Sequence, residues 1–252
     1  MKLLTIDING YCNLGCEFCY QNLDGSELSE EEILKILDKN PNFADIEIGG
    51  GEPFLHKNII NIIKNIREKG KKLHISTNAT RIPEGFLELE DRLRQGSQVQ
   101  VSLHASNPEL YKEITKRDLF NAVIDNIKKI KPRYSTLISS AIYQANFDDV
   151  PNIVDLSSEL ELPLRVSLVF PVGNGKNVDL LTPKQIDDLK SYLLLKKVEK
   201  GEMIDSPIVH ENNCIALQSF YGIEKQGICP ADSGKLYVSP VGEEYNCEFL
   251  RG

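Results

Sequence analysis

The sequence has no tryptophan, only two methionines, and no apolar run of the roughly 18 to 20 residues that a bilayer-spanning helix needs. Its start, MKLLTIDING, lacks a signal-peptide layout. Together these absences predict a soluble, cytoplasmic protein with no membrane partner. Positive charge is not in excess either. The chain has 29 basic and 37 acidic side chains, a formal charge of -8, which argues against a surface built to bind nucleic-acid phosphates. No repeat longer than a βα unit and no low-complexity linker is visible. What remains is a chain of 252 residues with 41% apolar side chains, enough for a sizeable core, so a disordered or fibrous protein is excluded. That length suits one large α/β domain, or a domain with a small appendage. Helices rich in Lys, Glu and Ile fit a heat-adapted protein.

The six cysteines are absent from the whole middle of the chain. They fall into two triplets, Cys12, Cys16 and Cys19, then Cys214, Cys229 and Cys247. In a cytosolic chain, clustered cysteines point to metal or catalysis rather than to disulfides. Thiolates select zinc or iron–sulfur clusters. Three thiolates within one short loop can hold three corners of a cubane and leave the fourth iron open. A structural zinc site would need a fourth ligand, and no histidine lies nearby. Cysteines that merely pack are the remaining alternative for each triplet.

Strand-like and helix-like stretches alternate from residue 3 to about 205. Strands are predicted at Leu3–Asp7, around Ile46 and Ile48, and at Lys72–Ser76, Val99–Leu103, Ser135–Tyr143 and Arg165–Phe170. Helices are predicted at Leu28–Leu37, at the amphipathic run through Ile59, Ile62, Ile63 and Ile66, and at Pro83–Arg94. Further helices are predicted at Pro108–Ile130 in two pieces, Val150–Leu160 and Pro183–Val198. Six βα units in a row imply a parallel sheet, either open or rolled toward a barrel. Beyond a boundary near residue 203 the pattern changes. Lys235–Ser239 and Glu244–Cys247 read as a hairpin turning at Pro240-Val241-Gly242. The chain stops at Gly252, soon after the last cysteine, so truncation or an omitted tail is expected.

The first triplet follows the first strand, at the C-terminal end where α/β sheets place active sites. With Phe18 just before the last cysteine, Cys12, Cys16 and Cys19 match the signature of the radical S-adenosylmethionine (SAM) enzymes, a family this chain resembles over residues 1–170. The resemblance implies a partial (β/α)6 TIM-like barrel over residues 1–203. It also implies a [4Fe-4S] cluster on the three cysteines and SAM at its open iron. Gly49-Gly50-Gly51-Glu52-Pro53, after the second strand, resembles the glycine-rich edge that binds the SAM amino group. Glycines let a ligand approach bare backbone, and a carboxylate suits an ammonium. Ser76 and Asn78 end the third strand where relatives carry similar polar residues. Ser102 ends the fourth as in relatives, but His104 stands where they often have aspartate. Thr115 stands where relatives often have an arginine for the SAM carboxylate, with Lys116 beside it, and Arg117 is the nearby candidate. Asn146 resembles an asparagine that frames the site. The loop Gly173-Asn174-Gly175-Lys176 is similar to the one after strand six, near the substrate. His56, His74 and His210 read as structural.

Residues 204–252, with Cys229 and Cys247 bracketing the hairpin, are similar in part to the SPASM and Twitch extensions. Those bind auxiliary [4Fe-4S] clusters, which implies one such cluster here on Cys214, Cys229 and Cys247 with a fourth ligand missing. The resemblance implies reductive cleavage of SAM by an electron from a flavodoxin- or ferredoxin-type donor. The resulting 5′-deoxyadenosyl radical would abstract a substrate hydrogen. The expected function is a peptide- or protein-modifying maturase. The alternatives are a small-molecule or cofactor-biosynthesis enzyme, such as a nucleobase or molybdopterin-type synthase, and a non-catalytic iron–sulfur sensor.

Overall fold

The computed structural model describes residues 2–200, 203–205 and 234–247. Six strands follow the predicted order: β1 (Leu3–Asp7), β2 (Asp45–Gly49), β3 (Lys72–Thr77), β4 (Ser97–Ser102), β5 (Ser135–Ile142) and β6 (Leu164–Leu168). Between and after them run α1 (Glu30–Lys39), α2 (Ile59–Glu68), α3 (Asp91–Arg94), α4 (Pro108–Thr115), α5 (Phe120–Ile130), α6 (Val150–Glu159) and α7 (Pro183–Lys200). A short strand, β7 (Ile204–Asp205), and a hairpin, β8 (Lys235–Val238) and β9 (Glu244–Tyr245), join the same sheet. Its order is β7-β6-β5-β4-β3-β2-β1-β8-β9, parallel throughout except for the hairpin pair.

The six repeating strands run through the sheet in chain order, without the reversal that marks a doubly wound fold. Right-handed crossovers then lay the helices on one face. This is the strand order of the expected partial (β/α)6 barrel. Alternation along each strand sorts side chains between the two faces. Leu4, Ile6, Ile46, Ile48, Leu73, Ile75, Val99, Val101, Ile138 and Val166 are buried in the main core with Ile59, Ile62, Ile63 and Ile66 of α2. Each such side chain contributes about 1.5–3 kcal/mol by leaving water. The alternate positions are polar. Thr5 and Ser76 donate to Glu47 (3.3 and 2.8 Å), Gln100 donates to Ser76 (3.4 Å), and Arg165 bonds Gln100 (2.9 Å) and Asp205 (3.1 Å). A hydrogen-bonded line thus crosses the second face from β1 to β7, where a filled barrel would have branched apolar layers.

Local chemistry explains the helix limits. Ser29 and Glu32 form a reciprocal capping box on α1, with Glu30 to Glu32 in its positive first turn. Asn107 caps α4 by accepting from Leu110 N–H at 3.0 Å, and Lys116 ends it in the left-handed region. The helix predicted over Pro83–Arg94 shrinks to α3 at its end. Gly85, at φ +80°, breaks it, and Phe86 enters the core, stacked on Tyr134 at 4.4 Å. Its backbone carbonyl is satisfied by the Tyr134 hydroxyl at 2.6 Å, and that of Leu87 by Arg94 and Arg133, in place of helical N–H groups.

The hairpin forms as the turn residues require, with Gly242 at φ +83°. Its first strand lies parallel beside β1, from Leu3 opposite Lys235 to Ile6 opposite Val238, and so covers the edge of the core sheet. Strands from beyond residue 203 therefore flank the six-unit core on both sides. Cys247 is buried, whereas Cys214, Cys229 and His210 lie outside the described residues. Among the described residues, no helix is long and apolar enough to cross a membrane.

Candidate active site

The segment after β1 carries the first cysteine triplet across the C-terminal ends of the strands and is pinned from four sides. On the first side, the glycine edge lies against it. Gly51 N–H donates to Asn9 O and Glu52 N–H to Tyr11 O, both at 2.8 Å, and Asn9 returns an amide to Glu52 O at 2.8 Å. A Cβ on Gly50 would come within 2.3 Å of Asn9 O, and one on Gly51 within 2.1 Å of Tyr11 O. The glycines at these two positions are required by the cysteine segment's own backbone, a reason the sequence did not disclose.

From a second side, Gly15 and Glu17 N–H groups donate to Thr115 and Ile114 carbonyls at the end of α4 (2.9 and 3.2 Å). From a third, Asn174 N–H donates to Cys19 O at 2.8 Å, and a Cβ on Gly173 would meet the Cys19 and Tyr20 carbonyls at 2.7 Å. The loop after β6 thus clamps the cysteine segment directly. From the fourth, Phe18 packs edge-on to His104 at 4.8 Å and against Tyr143 at 5.3 Å. The Glu17 carboxylate sits between Tyr143 and Lys116. Despite partial desolvation, hydrogen bonds from Lys116 and Tyr143 hold its carboxyl below the usual range.

The three thiols are half-buried. Desolvation, and then the neighbouring Cys19, push Cys16 up to about 12, while desolvation pushes Cys12 up to about 11. Two donors point at the Cys12 sulfur, the Leu14 N–H at 3.4 Å and the Asn78 amide at 3.5 Å. Asn78 also bonds Asn13 at 3.0 Å, tying the end of β3 to the cysteine segment.

Several sequence candidates are spent inside the fold. Glu52 is 1% exposed, and its carboxylate accepts from Thr77 Oγ1 and Asn78 N–H at 2.6 Å and from Phe54 N–H at 2.9 Å. Burial pushes its carboxyl up to about 7, against those donors. It braces the β2 and β3 ends from behind, rather than presenting a free carboxylate. Pro53 opens a buried single turn beside it. Asn146 is fully buried, donating to His104 and Ala141 carbonyls (2.9 and 3.0 Å) and accepting from Tyr143 N–H (2.9 Å). Ser76 belongs to the polar line across the sheet. Arg117 is exposed in the turn between α4 and α5, and Lys116 is the residue there that reaches the cysteine segment. His56 is structural as expected, bonding Leu28 O at 2.9 Å.

Ser102 and His104 are half-buried at the end of β4, where the His104 ring is turned in against Phe18. Ala141 N–H donates to His104 Nδ1 at 3.1 Å, so the neutral ring carries its proton on Nε2. Desolvation lowers its pKa to about 4, which keeps the ring neutral. A separate open cleft of about 870 Å³ lies between the loop after β3 and α5, and it contains none of these residues.

The family model of the radical SAM superfamily matches residues 6–157. The chain is 31% identical over 186 residues to a "Probable GTP 3',8-cyclase" of Methanocaldococcus jannaschii, covering 68% of this chain and 60% of that protein. It therefore spans about 60% of the length of the curated relatives it matches. Among solved structures it is similar to SuiB of Streptococcus suis bound to the precursor peptide SuiA, with TM-score 0.80 at 19% identity over 98% of this chain and 60% of that one. It is also similar to anSMEcpe with bound AdoMet, with TM-score 0.72 at 17% identity over 99% of this chain and 72% of that one. At such identities the likeness to the two structures is one of fold. On the match through the cysteine segment and its supporting strands, the chain belongs to the radical SAM superfamily.

Proposed function

We propose that this radical SAM enzyme modifies a peptide or protein, with its catalytic cluster on Cys12, Cys16 and Cys19. Family membership implies a [4Fe-4S] cluster and SAM. The donor set suits that group. Three partly exposed thiols within one short loop, with Cys19 N–H bonded to Cys16 O and two donors aimed at the Cys12 sulfur, would hold three irons of such a cluster and lose their protons on binding it. The Leu14 and Asn78 donors on the Cys12 sulfur are outer contacts of the kind that tune a cluster. Among the described residues, no three His, Cys, Asp or Glu side chains close around a single metal ion. A cluster bound through one thiolate per iron spaces its ligands more widely than a single ion does.

A cluster held by Cys12, Cys16 and Cys19, with SAM beside it, would supply one-electron chemistry for abstracting a substrate hydrogen, its electron coming from a flavodoxin- or ferredoxin-type donor. The chain's own residues position the partners and exclude water. Phe18 and His104 wall the cysteine segment, and the His104 Nε2–H offers a neutral donor. Ser102 and the glycine edge Gly49, Gly50 and Gly51 are the remaining proposed SAM contacts. Glu52, Pro53, Ser76, Asn78 and Asn146 support these groups from behind.

The observation that carries the peptide reading is that the fold likeness to SuiB, solved with its precursor peptide, extends over 98% of the chain. The sequence likeness to the cyclase covers 68% of it. That cyclase likeness favours a second reading, a small-molecule substrate of cofactor biosynthesis. Reconstituted enzyme with SAM and dithionite should be offered GTP or a short cysteine-bearing peptide encoded beside it. A mass change in the peptide supports the first reading, and GTP consumption matched by 5′-deoxyadenosine replaces it with the second.

The hairpin and its SPASM/Twitch likeness extend the proposal to an auxiliary cluster on Cys214, Cys229 and Cys247. Roughly eight irons per chain support two cubanes, and roughly four remove the second.

A further inference from the structure

Asp7 closes β1 immediately before the cysteine segment, and its carboxylate is buried at 1% exposure. Its Oδ2 accepts from the Tyr237 hydroxyl at 2.6 Å and also from the Gln21 side-chain amide. Gln21 is buried just past Cys19, and Tyr237 is buried in β8. Its Oδ1 lies where a Cβ on Gly49 would come within 3.2 Å. The register explains the reach. Tyr237 stands opposite Thr5, and Asp7 is two residues further along the same face. One carboxylate thus collects the strand entering the cysteine segment, the residue leaving it, and the C-terminal hairpin.

We propose that Asp7 is a positioning residue through which the C-terminal hairpin holds the cysteine segment in place. A buried carboxylate is costly to desolvate and is stabilised by donors aimed at it. Among the described residues, donors from far apart in the chain meet on Asp7, so order in the hairpin becomes order around the thiols.

The test uses the full chain without metal, so it does not depend on the cluster reading. Alkylation rates at each cysteine are read by mass spectrometry. Tyr237→Phe removes one donor to Asp7 and should speed alkylation of Cys12, Cys16 and Cys19 about five- to tenfold, with Cys247 little changed and the urea midpoint lowered, as expected for a buried acceptor that loses a donor. Tyr245→Phe, on the same hairpin with its hydroxyl on Glu243, should leave all rates unchanged. Gln21→Met frees the segment from the other side. If both donors act through Asp7, the double variant should match Gln21→Met alone. Equal acceleration at Cys12, Cys16, Cys19 and Cys247, no acceleration in either single variant, or multiplicative effects in the double variant would each overturn the proposal. If Tyr237→Phe does not fold, Gln21→Met decides by the same selectivity. In iron-loaded protein, Tyr237→Phe should release iron to a chelator faster by a similar factor. Selective alkylation without any iron loading would refute the cluster reading and leave the role of Asp7 standing.

Discussion

Glu52 offers a perturbation whose size follows from its surroundings. Buried beneath the glycine edge, its carboxyl rises from the ordinary 4.5 to about 7 because burial disfavours the charge. A raised folded pKa means the native state holds the proton more tightly than the unfolded chain. The resulting stability is complete below about pH 4.5 and is lost as pH rises through about 7. At about 1.4 kcal/mol per pKa unit, the loss is about 3 kcal/mol. Glu52→Gln cannot titrate. Its amide would oppose one of the N–H donors that now bond the carboxylate, a fixed cost of about 1–3 kcal/mol at every pH. Urea unfolding of both metal-free proteins from pH 4.5 to 8 cancels every other titrating group. The advantage of wild type over Glu52→Gln should shrink by about 3 kcal/mol across that range. A difference that stays constant, or that grows with pH, would refute the reasoning.

His104, with a pKa lowered to about 4 by desolvation, should keep its Nε2–H tautomer from pH 8 down to 5.5 in nitrogen-15 NMR, and a midpoint above 6 would contradict this. Its sign is opposite to that of Glu52: stability is present above about 6.5 and lost as pH falls through about 4. Gly51→Ala drives a Cβ to 2.1 Å from Tyr11 O and should cost at least about 2 kcal/mol in urea unfolding. Gly25→Ala, at φ +78° with open space around it, should cost about 1 kcal/mol. Tyr134→Phe strips the buried donor from Phe86 O and should cost about 1–2 kcal/mol, read by the same assay.

What the sequence disclosed and what it hid divide along physical lines. The six strands were legible because one face of each is consistently apolar, as in Ile46 and Ile48 or Val99 and Val101. The cysteine segment was legible because its ligands are close in sequence. The predicted Pro83–Arg94 helix was misleading because Phe86, Leu89 and Leu93 have helical spacing. Phe86 and Leu89 fill the core from turns and Leu93 from α3, with Arg94 of α3 and Arg133 and Tyr134 just before β5 meeting the freed carbonyls. Partners separated by long stretches of chain left no local trace. Nothing around Asp7 announces Tyr237, and the motif containing Glu52 does not reveal that its carboxylate faces Thr77 and Asn78. The pairing of β8 with β1 was equally hidden, since a hairpin's residues specify its turn but not the edge it joins.

The central claim is that Cys12, Cys16 and Cys19 form the catalytic centre. Anaerobic reconstitution with iron and sulfide, followed by SAM and dithionite, tests it by measuring 5′-deoxyadenosine. Wild-type protein should release 5′-deoxyadenosine, and Cys12→Ala should release none. Undiminished release from Cys12→Ala, or none from iron-loaded wild type, would contradict the account.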